Sequence, residues 1–206
     1  MDTPEKINAN DSTPNNTFLS TEGVSILDSM EETVSCRSNE NDNSLAVHEK
    51  PGYALRSYVE KFIDTKIGPV PVIKTRLGKD DIFSTFYVRC GIRRYEYKVS
   101  PGLYAIGDPD EDSEVLVTAN FKLTFDVLRK ELDGINAWIL VLDTKGINVW
   151  CAAGKGTFST QELVKRITEN HLEKIVKHKQ VIVPQLGATG VSAWDVKKQS
   201  RFRVIY

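Results

Sequence analysis

The string Asn148-Val149-Trp150-Cys151-Ala152-Ala153-Gly154-Lys155 places one ionisable sulfur shortly beyond an apolar run, Ala137 to Leu142, that reads as a buried strand. Open α/β sheets bind ligands in the crevice outside the carboxyl ends of their strands, so Cys151 stands where a ligand would lie. Ala152-Ala153-Gly154-Lys155 reads as a short helical turn beginning at the thiol. A helix amino end and a nearby lysine both favour thiolate, the form that binds soft metals. Cys90, in contrast, reads as a small hydrophobe packed inside.

Other chemistries find little support. A phosphate loop needs glycine five positions before Gly154, where Val149 stands, and Lys155 is followed by Gly156 rather than Ser or Thr. No G-x-G-x-x-G fingerprint follows a strand either. Cys36, Cys90 and Cys151 fall at unrelated spacings with no C-x-x-C pair, which argues against a disulfide framework, a zinc knuckle or a self-contained iron-sulfur site and fits a reducing compartment. His171 and His178 lie near the end of a helical region, where histidine commonly caps carbonyls or faces water. Lys174, Lys177, His178 and Lys179 form a basic cluster, read as a solvated face able to attract an acidic partner. Nothing points to nucleic acid.

The elements that must position the thiol follow from the hydrophobic pattern. Leu103 to Ile106, Val115 to Ala119, Ala137 to Leu142, Val181 to Val183 and Phe202 to Ile205 read as short strands. Helices are expected over Lys122 to Leu132, with Thr118 or Asn120 as caps, and over Thr160 to His171, capped by Ser159 with Glu162 three residues on and extending toward His178. A further helix is expected over Val191 to Lys198, and a helix-like pattern spans Asp80 to Cys90. Tyr53 to Ile63, with Leu55, Tyr58, Val59 and Phe62 at helical spacing, predicts another; Pro69 and Pro71 then make Val70 to Arg76 an extended or edge segment. This alternation predicts a Rossmann-like α/β domain with a mainly parallel sheet and helices on both faces. The loops Gly107-Asp108-Pro109, Ala119 to Lys122, Asp143 to Phe158 and Pro184 to Gly190 would then surround one large flat ligand.

The net charge of −1 conceals a division of the chain. Residues 1 to 50 hold ten acidic and three basic residues, a balance of −7, which leaves +6 for the remainder. With Phe18 as their only aromatic residue and no sustained apolar periodicity, these fifty residues read as a disordered acidic tail. They do not have the build of a signal peptide, and no apolar run of 18 residues or more would span a membrane. The expected organisation is tail 1–50 and ligand-binding domain 51–206, in a cytoplasmic setting.

NVWCAAGK, together with VTANFKLTFDVLRKEL, AWILVLDTKGINVWCAAGKGTF and VPQLGATGV, resembles the corrinoid-binding domain of the HgcA mercury-methylation family. More distantly it is similar to the large corrinoid subunit of the carbon monoxide dehydrogenase/acetyl-CoA synthase system. The likeness covers roughly Pro51 to Tyr206 and leaves out the acidic tail.

The resemblance implies a corrinoid (cobalamin) held with its dimethylbenzimidazole base displaced, and Cys151 as lower axial ligand of cobalt. Asn148, Val149, Trp150, Ala152, Ala153, Gly154 and Lys155 would line the cofactor. Thr118, Asn120, Asp143, Thr144, Lys145 and Thr157 become candidates to bind corrin amides or the nucleotide tail, and Gln185, Leu186, Gly187 and Ala188 to accommodate its base. The leading expectation is a methyltransferase that passes a cobalt-bound methyl group to Hg(II), giving methylmercury. It would use a methyl donor of the methyltetrahydrofolate pathway, an HgcB-like ferredoxin as electron donor, and a C-terminal membrane domain that this chain lacks. Two alternatives stay open: a methyl-carrier corrinoid protein of one-carbon or acetyl-CoA metabolism, and a non-catalytic corrinoid- or metal-binding module.

Overall fold

The computed structural model describes residues 56–92 and 98–206. The expected disordered tail lies outside the described residues.

Seven strands form one sheet: β1 (Val59–Thr65), β2 (Gly68–Ile73), β3 (Gly102–Ile106), β4 (Val115–Ala119), β5 (Ala137–Leu142), β6 (Gln180–Ile182) and β7 (Arg203–Ile205), in the order β1-β2-β3-β5-β4-β6-β7. Four of the six pairings are parallel; β1 with β2 and β3 with β5 are antiparallel. The mainly parallel α/β fold expected from the sequence is therefore the fold observed. All six residues of β5 are buried, as an uninterrupted apolar run in a doubly covered strand requires.

Helices lie on both faces. Ile139 and Val141 of β5 pack on one side with Tyr104, Ile106, Phe125 and Leu132. Here α1 (Lys79–Arg89) and α2 (Lys122–Glu131) are joined by a buried ion cluster. Trp138, Leu140 and Leu142 point to the other face, which is covered by α3 (Val149–Gly154), α4 (Thr160–Glu169), α5 (Leu172–Ile175) and α6 (Ala193–Ser200) through Ala152, Phe158, Leu163, Ile167, Leu172 and Val196. The Ser159 hydroxyl accepts the Glu162 N–H, as predicted. Asn170 and a left-handed His171 end α4, so the helix does not continue toward His178.

Four further expectations are corrected, the first being that Cys90, expected to pack inside, is exposed. The Val59 to Ile63 part of the first predicted helix is strand, β1, paired along its length with β2; Tyr53 to Leu55 lie outside the described residues. The proline-bearing segment is extended, as the sequence allowed, but lies inside the sheet rather than at its edge. It tolerates Pro69 and Pro71 because its ladder to β3 is a single pair, Val72 with Ala105. Neither Thr118 nor Asn120 caps α2, whose N-cap is Phe121 without a side-chain bond.

Candidate functional site

Strands β4, β5, β6 and β7 run parallel, so their carboxyl ends share one edge, which carries Asn120, the loop from Asp143 to Asn148, and the 3-10 helix Gln185–Gly190. Gly107 and Asp108 do not belong to this group. Because β3 is antiparallel to β5, its end faces the opposite edge, where the Asp108 N–H donates to Asn136 Oδ1 just before β5 begins. The ring of four predicted loops is thus three.

Cys151 occupies the first turn of α3, free and exposed. Asn148 is the N-cap, and its Oδ1 accepts the Cys151 N–H at 2.9 Å. Val149, Ala152 and Ala153 turn inward and are buried, anchoring the short helix on the sheet. What remains outward is Trp150, 69% exposed, with Cys151, Gly154 and Lys155.

The 3-10 helix packs directly against α3. A Cβ at Gly190 would meet the Phe158 carbonyl and lie 3.1 Å from Ala153 Cα, and one at Gly187 would lie 3.0 Å from Phe158 Cδ1. These two positions have to be glycine so that the segments can close up. Leu186, 64% exposed, and Gln185 stand outward from this segment, whereas Gly187 is buried and Ala188 half-buried. The result is an open ledge on α3, apolar at Trp150, with an exposed thiol and unobstructed space over Gly154, and with the exposed Leu186 on the neighbouring 3-10 helix. A flat macrocycle with a soft metal at its centre suits such a surface better than a small polar substrate, which would need an enclosing pocket.

The remaining candidates sit beneath the ledge. Thr118 and Thr144 are buried, and Thr157 is half-buried with its hydroxyl donating to the Ala152 carbonyl at 3.4 Å. Asn120 is 3% exposed, and its Oδ1 accepts from Thr144 N at 3.1 Å, Thr144 Oγ1 at 2.9 Å and Gly146 N at 2.9 Å. Its Nδ2 donates to Asp143 at 3.2 Å. Asp143 also binds Lys145 Nζ at 2.7 Å, and its N–H donates to Glu162 Oε1 at 2.8 Å. Burial works against the Asp143 carboxylate, but hydrogen bonds from Lys145 hold it below the ordinary carboxylate range. The structure exposes Trp150, Cys151 and Gly154 on α3 and Leu186 on the 3-10 helix packed against it, and places Asn120, Asp143 and Thr144 in the hydrogen-bonded loop that leads into α3.

Sequence reasoning missed the ion cluster on the other face. Lys122 lies 2.7 Å from Asp81 and 2.6 Å from Asp126, and Arg129 Nη2 lies 2.7 Å from Asp81 and 2.9 Å from Asp126. The spacing of Lys122, Asp126 and Arg129 on a single helix was the available signal. Beside the cluster is a cavity of about 140 Å³, lined by Arg56, Tyr58, Asp81, Ser84, Lys98 and Lys122 and holding none of the ledge residues. Among the described residues no group of three or more His, Cys, Asp or Glu could hold a metal ion, and no helix is long and apolar enough to cross a membrane.

Comparison with known proteins gives the family of the chain. The family model CdhD, CO dehydrogenase/acetyl-CoA synthase delta subunit, matches residues 78–201. The acetyl-CoA decarbonylase/synthase complex subunit gamma of Methanopyrus kandleri is 38% identical over 111 residues, 50% of this chain and 24% of that protein. The Archaeoglobus fulgidus protein of the same name is 32% identical over 142 residues, 65% of this chain and 30% of that protein. That of Methanocaldococcus jannaschii is 40% identical over 93 residues, 44% of this chain and 19% of that protein. The chain spans less than a third of the length of these curated relatives.

These matches correct the leading expectation from the sequence. They are proteins of acetyl-CoA chemistry, so the assignment as a mercury methyltransferase is withdrawn, and Hg(II), an HgcB-like donor and a membrane domain lose their support. The more distant of the two resemblances read from the sequence is the one that stands, and with it the corrinoid as cofactor. With the family model matching more than half of its residues, the chain belongs to the CO dehydrogenase/acetyl-CoA synthase delta subunit family.

Proposed function

We propose that the domain expected over residues 51–206 is the corrinoid-binding domain of a methyl-carrier protein of one-carbon metabolism, in which the Cys151 sulfur would be the protein's ligand to cobalt. The observation that carries this reading is a free, exposed thiol held by the Asn148 cap at the carboxyl edge of a parallel sheet, in an open apolar ledge. Family membership supports the class of chemistry.

A bound corrinoid supplies a cobalt centre that accepts and releases a methyl group, which the amino acids alone cannot do. This chain's part is to seat it. Cys151 offers the sulfur, Asn148 fixes the turn that carries it, and Trp150, Gly154 and Leu186 provide the apolar surface that excludes water from one side of the ring. Gln185, Gly187 and Ala188, in the neighbouring 3-10 helix, would accommodate the base of the cofactor's nucleotide tail. Thr118, Asn120, Asp143 and Thr144 support the ledge from below. The methyl donor would be of the methyltetrahydrofolate type. The relatives are each named as one subunit of a complex, and the partners proposed here are accordingly other protein subunits, in a cytoplasmic setting.

The test is reconstitution with aquocobalamin and absorption spectroscopy of the unmodified chain and Cys151→Ala. The unmodified chain is expected to hold the cofactor base-off with a sulfur-to-cobalt charge-transfer band, and the variant to lose that band. A chain that binds no cobalamin overturns the cofactor; an unchanged variant spectrum overturns the ligand.

A further inference from the structure

We propose that Asn120 is a positioning residue for Cys151: it locks the loop between β5 and α3 so that the sulfur is aimed before any cofactor arrives. The proposal rests on the corrinoid reading above and adds a residue that acts on the thiol without touching a ligand. Asn120 is 3% exposed, so its amide has no access to anything seated on the ledge.

The bonding defines the role. Three donors, Thr144 N–H, Thr144 Oγ1 and Gly146 N–H, converge on Oδ1 within 3.1 Å. Exchanging the amide oxygen and nitrogen would set an NH2 group against two backbone N–H groups, so the network admits one orientation. That orientation turns Nδ2 onto the Asp143 carboxylate. Thr144 passes the constraint on, since its one hydroxyl proton is shared between Asn120 Oδ1 and the Ile147 carbonyl, 2.7 Å away and immediately before the Asn148 cap. The backbone of Asn120 is itself tied to the sheet edge, with its N–H donating to the Leu142 carbonyl and its carbonyl accepting the Val99 N–H.

A second observation explains why a lock is required. Lys145 and Gly146 are consecutive left-handed residues, φ 60° and 73°, and Lys145 has a Cβ that disfavours this conformation. Such a turn persists only where its surroundings hold it. Loss of Asn120 Oδ1 removes an acceptor shared by three donors in that turn: it leaves the buried Gly146 N–H without its partner, and leaves Thr144 only its bonds to the Leu142 and Ile147 carbonyls.

The experiment compares Asn120→Ala, Asn120→Asp and the exchange Asn120→Asp/Asp143→Asn. Two readouts apply, amide hydrogen exchange over residues 143–151 and the absorption spectrum with aquocobalamin. Asn120→Ala is expected to accelerate exchange in this loop about tenfold or more while β5 stays protected, and to weaken cobalamin binding by about tenfold, the usual effect of removing a residue that orients a metal ligand. Asn120→Asp keeps the three acceptor contacts but faces Asp143 with like charge, and is expected to be impaired at neutral pH. The exchange restores a donor opposite a carboxylate but gives up the acceptor of the Lys145 N–H, and should recover part of the loop protection and spectrum lost in Asn120→Asp, which a general loss of stability would not do. Unchanged exchange in the loop of Asn120→Ala, or no recovery in the double variant, overturns the proposal. Should the unmodified chain bind no cobalamin, the corrinoid reading falls, and the exchange data still decide whether Asn120 holds the loop.

Discussion

Arg129 on α2, fully buried, holds its Nη2 2.7 Å from Oδ2 of Asp81 on α1. Asp81 is also bound by Lys122 and by the Gly78 N–H, so one carboxylate joins the start of α1 to two cations of α2. The buried residues of α1 are Asp81, Ser84 and Val88, and its large apolar residues Ile82, Phe83 and Phe86 are exposed. The helix is therefore docked by charge more than by apolar burial. Removing one partner strands the other in a dry site, and Asp81→Asn is expected to cost about 3–5 kcal/mol in chemical denaturation.

The same carboxylate makes stability depend on acid. Burial alone would raise its pKa, but hydrogen bonds from Lys122, Gly78 and Arg129 outweigh burial and bring it down to about 2. A group whose pKa is lower folded than unfolded stabilises the protein above its unfolded value and loses that contribution as pH falls through the folded one. The denaturation midpoint should thus decline between about pH 4 and pH 2. Asp81→Asn should show a shallower decline over that window; an identical slope would remove Asp81 as the cause.

Much of this arrangement can be read from residue order, and the parts that cannot have physical causes. Runs such as Ala137 to Leu142 announce strands because they are short, rich in β-branched and aromatic residues and apolar on both faces, as a doubly covered strand requires. Ser159 with Glu162 announces a helix start because its capping bond is local. Strand direction is not local. The antiparallel setting of β3 had a cue in the eight residues between Ile106 and Val115, too few for a parallel crossover. β1 imitated a helix because Leu55, Tyr58, Val59 and Phe62 fall at a 3.6-residue period, whereas what makes the segment a strand is its pairing with β2, which that period does not report. At the site, the type and place of Cys151 were legible. Asn120, Asp143 and Thr144 were legible only as polar residues in suitable loops, since their bonds to one another connect segments more than twenty residues apart.

Three helices share one capping device, with Asn148, Ser159 and Ser192 each accepting an N–H three residues on. Replacing any of them by alanine should cost about 1 kcal/mol in thermal or chemical denaturation. The consequences for the thiol should differ. Asn148→Ala alone is expected to change the rate at which an alkylating reagent modifies Cys151, measured on the Cys151 peptide by mass spectrometry, because only that cap bonds the Cys151 N–H. Equal effects from the two serine variants would show that the rate reports overall stability instead.

Gly154 and Gly190 separate the fold from the function. At Gly190 a methyl group would be driven into the Phe158 carbonyl and the Ala153 backbone, neither of which can turn aside. Gly190→Ala should therefore destabilise by about 1–3 kcal/mol. At Gly154 a Cβ meets nothing within 4 Å, so alanine costs the fold no contact and removes conformational freedom from the unfolded chain. Gly154→Ala should melt at or above the unmodified protein. Its methyl group projects onto the open ledge beside Cys151, where a ring lying flat would meet it, and the expected result is weaker cobalamin binding in a titration by absorption. A Gly154→Ala protein that binds cobalamin as well as the unmodified chain would move the ring's seat away from α3 without disturbing the assignment of the fold.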